Sequence, residues 1–194
     1  MEHAVPQRLH QWIEANYPRP RIDPAWLQDC YTWLVSEGTD PDPPHYTNMI
    51  AKVEEQIHKS DLYDSTMHGT GLPVQVASPT TTTTLGGPPV LVQLVALTDV
   101  GISAFQLEQV RKAREERVEQ GTVLEEGEGE GEGDVEVEGE GPMPKYPRGT
   151  LLLHLSDGVT TLKAMEYRPL PDFSLLTTPL GLKVRISVHP CPVH

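Results

Sequence analysis

Cysteine is scarce in this 194-residue chain, which holds only Cys30 and Cys191. Two such distant residues exclude a multi-bridge disulfide framework and lack the C-x-x-C spacing of a zinc or redox site, so a reducing compartment is expected. Long apolar runs are missing as well. No stretch approaches the roughly 20 residues that cross a bilayer, and the opening MEHAVPQRLHQWIEANYPRP interrupts its apolar residues with charges; neither a secretory nor a membrane route is expected. Hydrophobic residues make up 37% of the chain, below the ~45–50% of globular proteins even allowing for the glycine counted in that reference, so part of the sequence should carry no core. Clusters of Lys and Arg are also lacking. The formal charge is −13, but nine of the 28 acidic residues fall between Glu125 and Glu140, a stretch without Lys or Arg; taking them away leaves −4 for everything else. A nearly neutral body argues against a dominant phosphate-binding surface, which needs clustered cations to displace counterions. It points to proteins as partners.

What is present begins with three helical patterns. Val5, Leu9, Trp12 and Ile13 share one face by i, i+4, i+7 and i+8 spacing, and Pro18 and Pro20 stop that helix. The second pattern is the best bounded: Asp23 suits the N-cap, Pro24 the first helical position and Gly38 the left-handed position past the end. Trp26, Leu27, Cys30, Trp33 and Leu34 form its expected buried stripe. The third runs from about Pro44 to Asp61, with Met49, Ile50, Val53 and Ile57 on one side and Lys52, Glu54, Glu55 and Lys59 on the other. Residues 1–66 therefore read as a three-helix bundle. Residues 67–89, with Gly69, Gly71, Pro79, the threonines 80–84 and Gly86 to Pro89, read as a linker or extended strap.

Val90 to Thr98, VLVQLVALT, is rich in Val and Leu and short enough to be a strand. The next strand signal comes only at Thr150. Between them, Ser103 to Gln120 reads as a helix, with Ser103 and Gln106 in capping-box positions and Glu108 four residues before Lys112. The acidic Glu/Gly run 125–141 combines like-charge repulsion with the backbone entropy of glycine and is expected to be disordered. TLLLHLSDGVTTLKAMEY then places Asp157-Gly158 between two strand-like runs, a strong hairpin signal ended by Pro169 and Pro171. LGLKVRISV, Leu180 to Val188, alternates like a half-buried strand. The fold class is α+β: a helical bundle, then a small barrel in residues 90–188 interrupted by an insertion over 101–148, with a tail at 189–194.

Four segments resemble the N-terminal region of the RecQ-mediated genome instability protein family. DPAWLQDCYTWLVSEG (Asp23 to Gly38) is similar to its Pro/Trp/Leu/Cys/Trp helix, and VQLVALTDV (Val92 to Val100) to its first barrel strand with the terminal Asp-Val. Leu151 to Pro171 is the most specific, with its Leu-rich strand, Asp157-Gly158 turn, Met165-Glu166-Tyr167 and proline exit. Lys183 sits where the family shows Gly-x-Lys before a strand. The resemblance implies an OB-fold barrel beside the helices. It also implies a non-catalytic, cofactor-free nuclear subunit that acts with topoisomerase III and a RecQ helicase in dissolving recombination intermediates, Holliday junctions among them, for DNA repair. One departure is expected to matter: an OB barrel has five strands, and after Val188 the chain reads HPCPVH, so the last strand looks missing.

In that family the insertion reaches into the topoisomerase gate, so 101–148 is the candidate for the same role here, with Phe105, Val110, Tyr146 and Arg148 as the contacts on its flanks. Lys183 is the candidate partner contact on the barrel, although it, Lys163, Arg168 and Arg185 also fit ordinary solvated strand cations. The acidic run reads either as a solvated spacer or as a DNA-like polyanion that steers toward a basic channel. Two further functions stay open: free single-stranded-DNA binding and an acidic binder of basic proteins. Direct DNA binding should be weak, since only Tyr167 and Phe173 follow the insertion as stacking aromatics. His189, Cys191 and His194 lie in a proline-containing tail without the rigid frame of a zinc site. His154, Ser156 and Asp157 lack a nucleophile elbow, and turn chemistry accounts for Asp157.

Overall fold

The computed structural model describes residues 4–39, 46–78, 85–121, 144–175 and 177–187. The threonine run, the acidic run and the tail lie outside them. Helices α1 (Gln7–Asn16), α2 (Pro24–Ser36) and α3 (Tyr46–Lys59) come first, followed by the short α4 (Leu62–Ser65) and a 3-10 turn at Val74–Ala77. Strand β1 (Val90–Asp99), helix α5 (Ala104–Gly121) and strands β2 (Leu151–Ser156), β3 (Thr161–Met165) and β4 (Lys183–Ile186) complete the described elements. The sheet order is β3-β2-β1-β4, with β2 antiparallel to β3 and β4 antiparallel to β1. Residues 1–97 with 152–194 form one compact unit and residues 98–151 a second.

The second helix forms as its sequence dictates. Asp23 Oδ1 accepts from the amides of Ala25 and Trp26, Pro24 occupies the first turn, and Gly38 has φ +81° just past the end. Its seam differs from the expectation at three aromatic residues: Tyr31 joins it, Trp26 is only half-buried against the core, and Trp33 lies outside it. Leu27, Cys30, Tyr31 and Leu34 are buried, at i, i+3, i+4 and i+7, whereas Trp33 falls beside this seam and is 48% exposed. Tyr31 lies on the buried seam, about 200° around the helix from Trp33. In α3, Met49, Val53 and Ile57 are fully buried, and Tyr46 joins them.

Helices and sheet share a core. Leu91 of β1 belongs to the same buried cluster as Leu9, Leu34, Val53 and Ile57. Val90 to Leu94 are buried in succession, which for a strand means that both faces are covered. Gln93, on the Leu91 face, is buried and satisfied: its Oε1 accepts from the Leu62 amide at 3.1 Å and its Nε2 donates to Asp61 at 2.9 Å. The hairpin is fastened to the same body. Asp157 caps its own turn, with Oδ1 accepting from Val159 and Thr160, while Oδ2 accepts from the Leu72 amide at 2.5 Å. Turn chemistry therefore accounts for one of its oxygens, and the strap before β1 claims the other. Gly158 has φ +103° and stands where a β-carbon would strike the backbone of Leu62 and Tyr63.

The last strand is shorter than its alternating sequence suggested. Leu180 and Gly181 form a turn, Gly181 with φ +87°, and its amide donates to Leu94 O at 2.7 Å. Pairing in register with β1 is confined to Lys183–Ile186 against Gln93–Val90. Four strands are found among the described residues.

Candidate functional site

The insertion leaves β1 at Asp99 and rejoins β2 at Leu151. Its helix starts where the capping box places it: Ser103 Oγ accepts from the Gln106 amide at 3.2 Å, and Gln106 Oε1 accepts from the Ser103 amide at 3.2 Å. The helix then has no apolar stripe to bury. Ion pairs along its surface support it instead, with Glu108 taking both Arg111 Nε and Nη2 and Glu115 taking Nη1 at 3.0 Å. The Arg111 guanidinium holds the Glu108 carboxyl below the usual range. Exposed pairs of this kind are screened by water and salt, so they can bias a helix but not anchor one.

Anchoring comes from Arg114. Its Nη1 donates to Pro144 O at 2.8 Å, and its guanidinium carbon lies 5.4 Å from the Tyr146 ring centroid. The outgoing helix is thus tied to the returning segment, and a cation over an aromatic face adds ~0.5–1 kcal/mol. The sequence singled out Tyr146 but not Arg114, since nothing local marks a contact across 30 residues.

The four insertion residues expected to make contacts do not form one patch. Phe105 is 70% exposed in the first turn of α5, and Val110, five residues on and about 140° around the helix, is half-buried. Tyr146 remains 43% exposed beneath Arg114. Arg148 is exposed beside it in sequence, its Nη1 3.5 Å from Gly149 O. Phe105 and Tyr146 therefore expose apolar area, and Val110 less.

Lys183 belongs to the other unit and has a different character. Its ammonium donates to Ser60 O at 2.6 Å and Gly181 O at 3.1 Å, pinning the start of β4 to the end of α3. Burial lowers its pKa and the nearby Asp61 charge raises it, burial being the larger effect. It borders a cleft of about 760 Å³ whose walls include Asp61, Val95, Leu180 and Leu182. Among the described residues no group of His, Cys, Asp and Glu could hold a metal ion, and no helix is long and apolar enough to cross a membrane. Tyr167 is 94% exposed and Phe173 half-buried.

Helices packed on a four-stranded antiparallel sheet, with a long excursion between its first two strands, define a helix-supported OB-type domain. Residues 72–194 match the family model described as "RMI1, N-terminal OB-fold domain". The chain belongs to that family. Over 181 residues it is 28% identical to RecQ-mediated genome instability protein 1 of Danio rerio, covering 93% of this chain and 31% of that protein. It thus spans about a third of the length of this relative.

Proposed function

We propose that this chain acts in genome stability as a non-catalytic nuclear subunit, binding topoisomerase III within a RecQ helicase assembly and modulating strand passage through its insertion. Family membership supports the accessory role, and the relative's name ties it to RecQ-mediated genome instability. The observation that carries the insertion's part is the combination of exposed Phe105 and Tyr146 with a helix that has no apolar stripe of its own. A long loop in a compact domain that is built and yet buries little is commonly a functional one.

In this reading Phe105, Tyr146 and Arg148 touch the topoisomerase, Val110 sits at the margin of the contact, and Lys183 acts at the barrel. Direct DNA binding is weak, because Tyr167 supplies a single exposed ring after the insertion. Replacing Gly101 to Arg148 by a short Gly-rich turn is expected to preserve topoisomerase III binding and to lower decatenation. Unchanged decatenation by the shortened chain would rule the reading out.

A further inference from the structure

Both roots of the insertion meet at one carboxylate. Asp99 closes β1, and its Oδ1 accepts from the Gly101 amide at 2.8 Å while its Oδ2 accepts from the Gly149 amide at 2.7 Å. Beside it, the Val100 amide donates to Thr150 O at 2.9 Å. The two backbones approach so closely that a β-carbon on Gly149 would lie 2.5 Å from Asp99 Oδ1 and 2.8 Å from Gly101 Cα. One on Gly101 would collide with the Thr150 nitrogen. Neither glycine has a positive φ, so room, and not backbone conformation, is what requires glycine here.

A local turn explains half of this arrangement. An Asp at a strand end commonly accepts from the amide two residues on, which is the Gly101 bond. The bond to Gly149 spans 50 residues and serves no turn. Bonds from amides to an ionised acceptor are shorter and about twice as strong as neutral ones, and here one ion holds the outgoing and returning chains together.

We infer that Asp99 is the positioning residue of the insertion: its carboxylate, in a neck cleared by Gly101 and Gly149, holds the loop's two roots side by side so that the outgoing and returning segments leave from one fixed point. This rests on the reading of the insertion given above. A fixed neck matters because small misplacement of a contributing group can lower a rate by ~10²-fold, whereas binding carried by other surfaces is unaffected.

The test compares the full chain with Asp99→Ala, Asp99→Asn and Gly149→Ala in complex with topoisomerase III. In Asp99→Ala, amide exchange at Gly101 and Gly149 should rise by roughly tenfold or more, and topoisomerase affinity should stay within about twofold. Decatenation should fall to the level of the short-turn replacement. Asp99→Asn keeps one acceptor oxygen and should fall between. Gly149→Ala leaves the carboxylate in place, crowds the neck and should behave as Asp99→Ala does. A cysteine pair, Val100→Cys with Thr150→Cys, added to Asp99→Ala should restore decatenation when oxidised and lose it again on reduction. If Asp99→Ala alone folds poorly, the oxidised pair carries the comparison. Full decatenation by Asp99→Ala despite faster exchange, or no recovery on oxidation, overturns the assignment. A normal short-turn replacement would instead sink the underlying reading.

Discussion

Asp157 shows how much a single side chain can join. It is 3% exposed, accepts from three amides, and links the β2–β3 turn to Leu72, 85 residues earlier. Asp157→Ala is expected to destabilise the fold by ~3 kcal/mol, since it leaves buried donors unmet, and denaturant unfolding would measure it. A loss within ~0.5 kcal/mol, the range of ordinary surface changes, would show that the strap contact is idle. Asp61 gives the pH counterpart. Its carboxyl accepts from the Tyr63 amide at 2.8 Å and from Gln93 Nε2 at 2.9 Å, and these bonds, the amide first, hold it below the usual carboxylate range. The folded state therefore binds this proton less readily than the unfolded chain. The stability Asp61 confers is complete above about pH 4, near the unfolded value, and is lost as pH falls through the lowered folded value. Asp61→Asn should flatten the acid limb of a Tm-against-pH curve, and parallel limbs for the two proteins would remove Asp61 from it.

At the scale of elements, legibility followed distance along the chain. The cap of α2, the capping box of α5 and the Asp157-Gly158 turn were readable because each is settled within four residues. The strand Val90–Asp99 was readable from its aliphatic run. Trp33 lies off the buried seam of α2 and Tyr31 on it, about 200° apart around the helix, and a count of apolar residues does not rank the two. The turn at Leu180 and Gly181 cut β4 short because its register is set by Leu94, far earlier in sequence. Of the candidate site, exposed Phe105 and Tyr146 could be named from residue type and position. The Arg114 bond to Pro144 and the Asp99 bond to Gly149 could not: their partners lie 30 and 50 residues away. Lys183 was noticed through resemblance, but its hold on Ser60, 123 residues earlier, shows only in three dimensions.

At the scale of the whole molecule, charge is unevenly shared. Nine of the 28 acidic residues lie in sixteen consecutive positions, and the rest of the chain is nearly balanced. A polyanion carried by a nearly neutral body attracts a basic channel at long range without needing a structured contact. Exposed charges are screened beyond about 10 Å at 0.1 M salt. Association with topoisomerase III should accordingly slow as salt rises, while dissociation changes less, and stopped-flow mixing at several ionic strengths would resolve the two. A flat association rate would leave the run as a spacer only.

The neck at Asp99 also bears on how such a chain can vary. Because Gly101 and Gly149 are gathered at one carboxylate, whatever lies between them is a closed loop whose ends are already fixed. Each doubling of such a loop adds only ~0.6 kcal/mol of closure entropy. Repeats of Glu and Gly can thus accumulate or vanish there at little cost to the folding of the barrel, which makes this a place where length itself is free to become a trait.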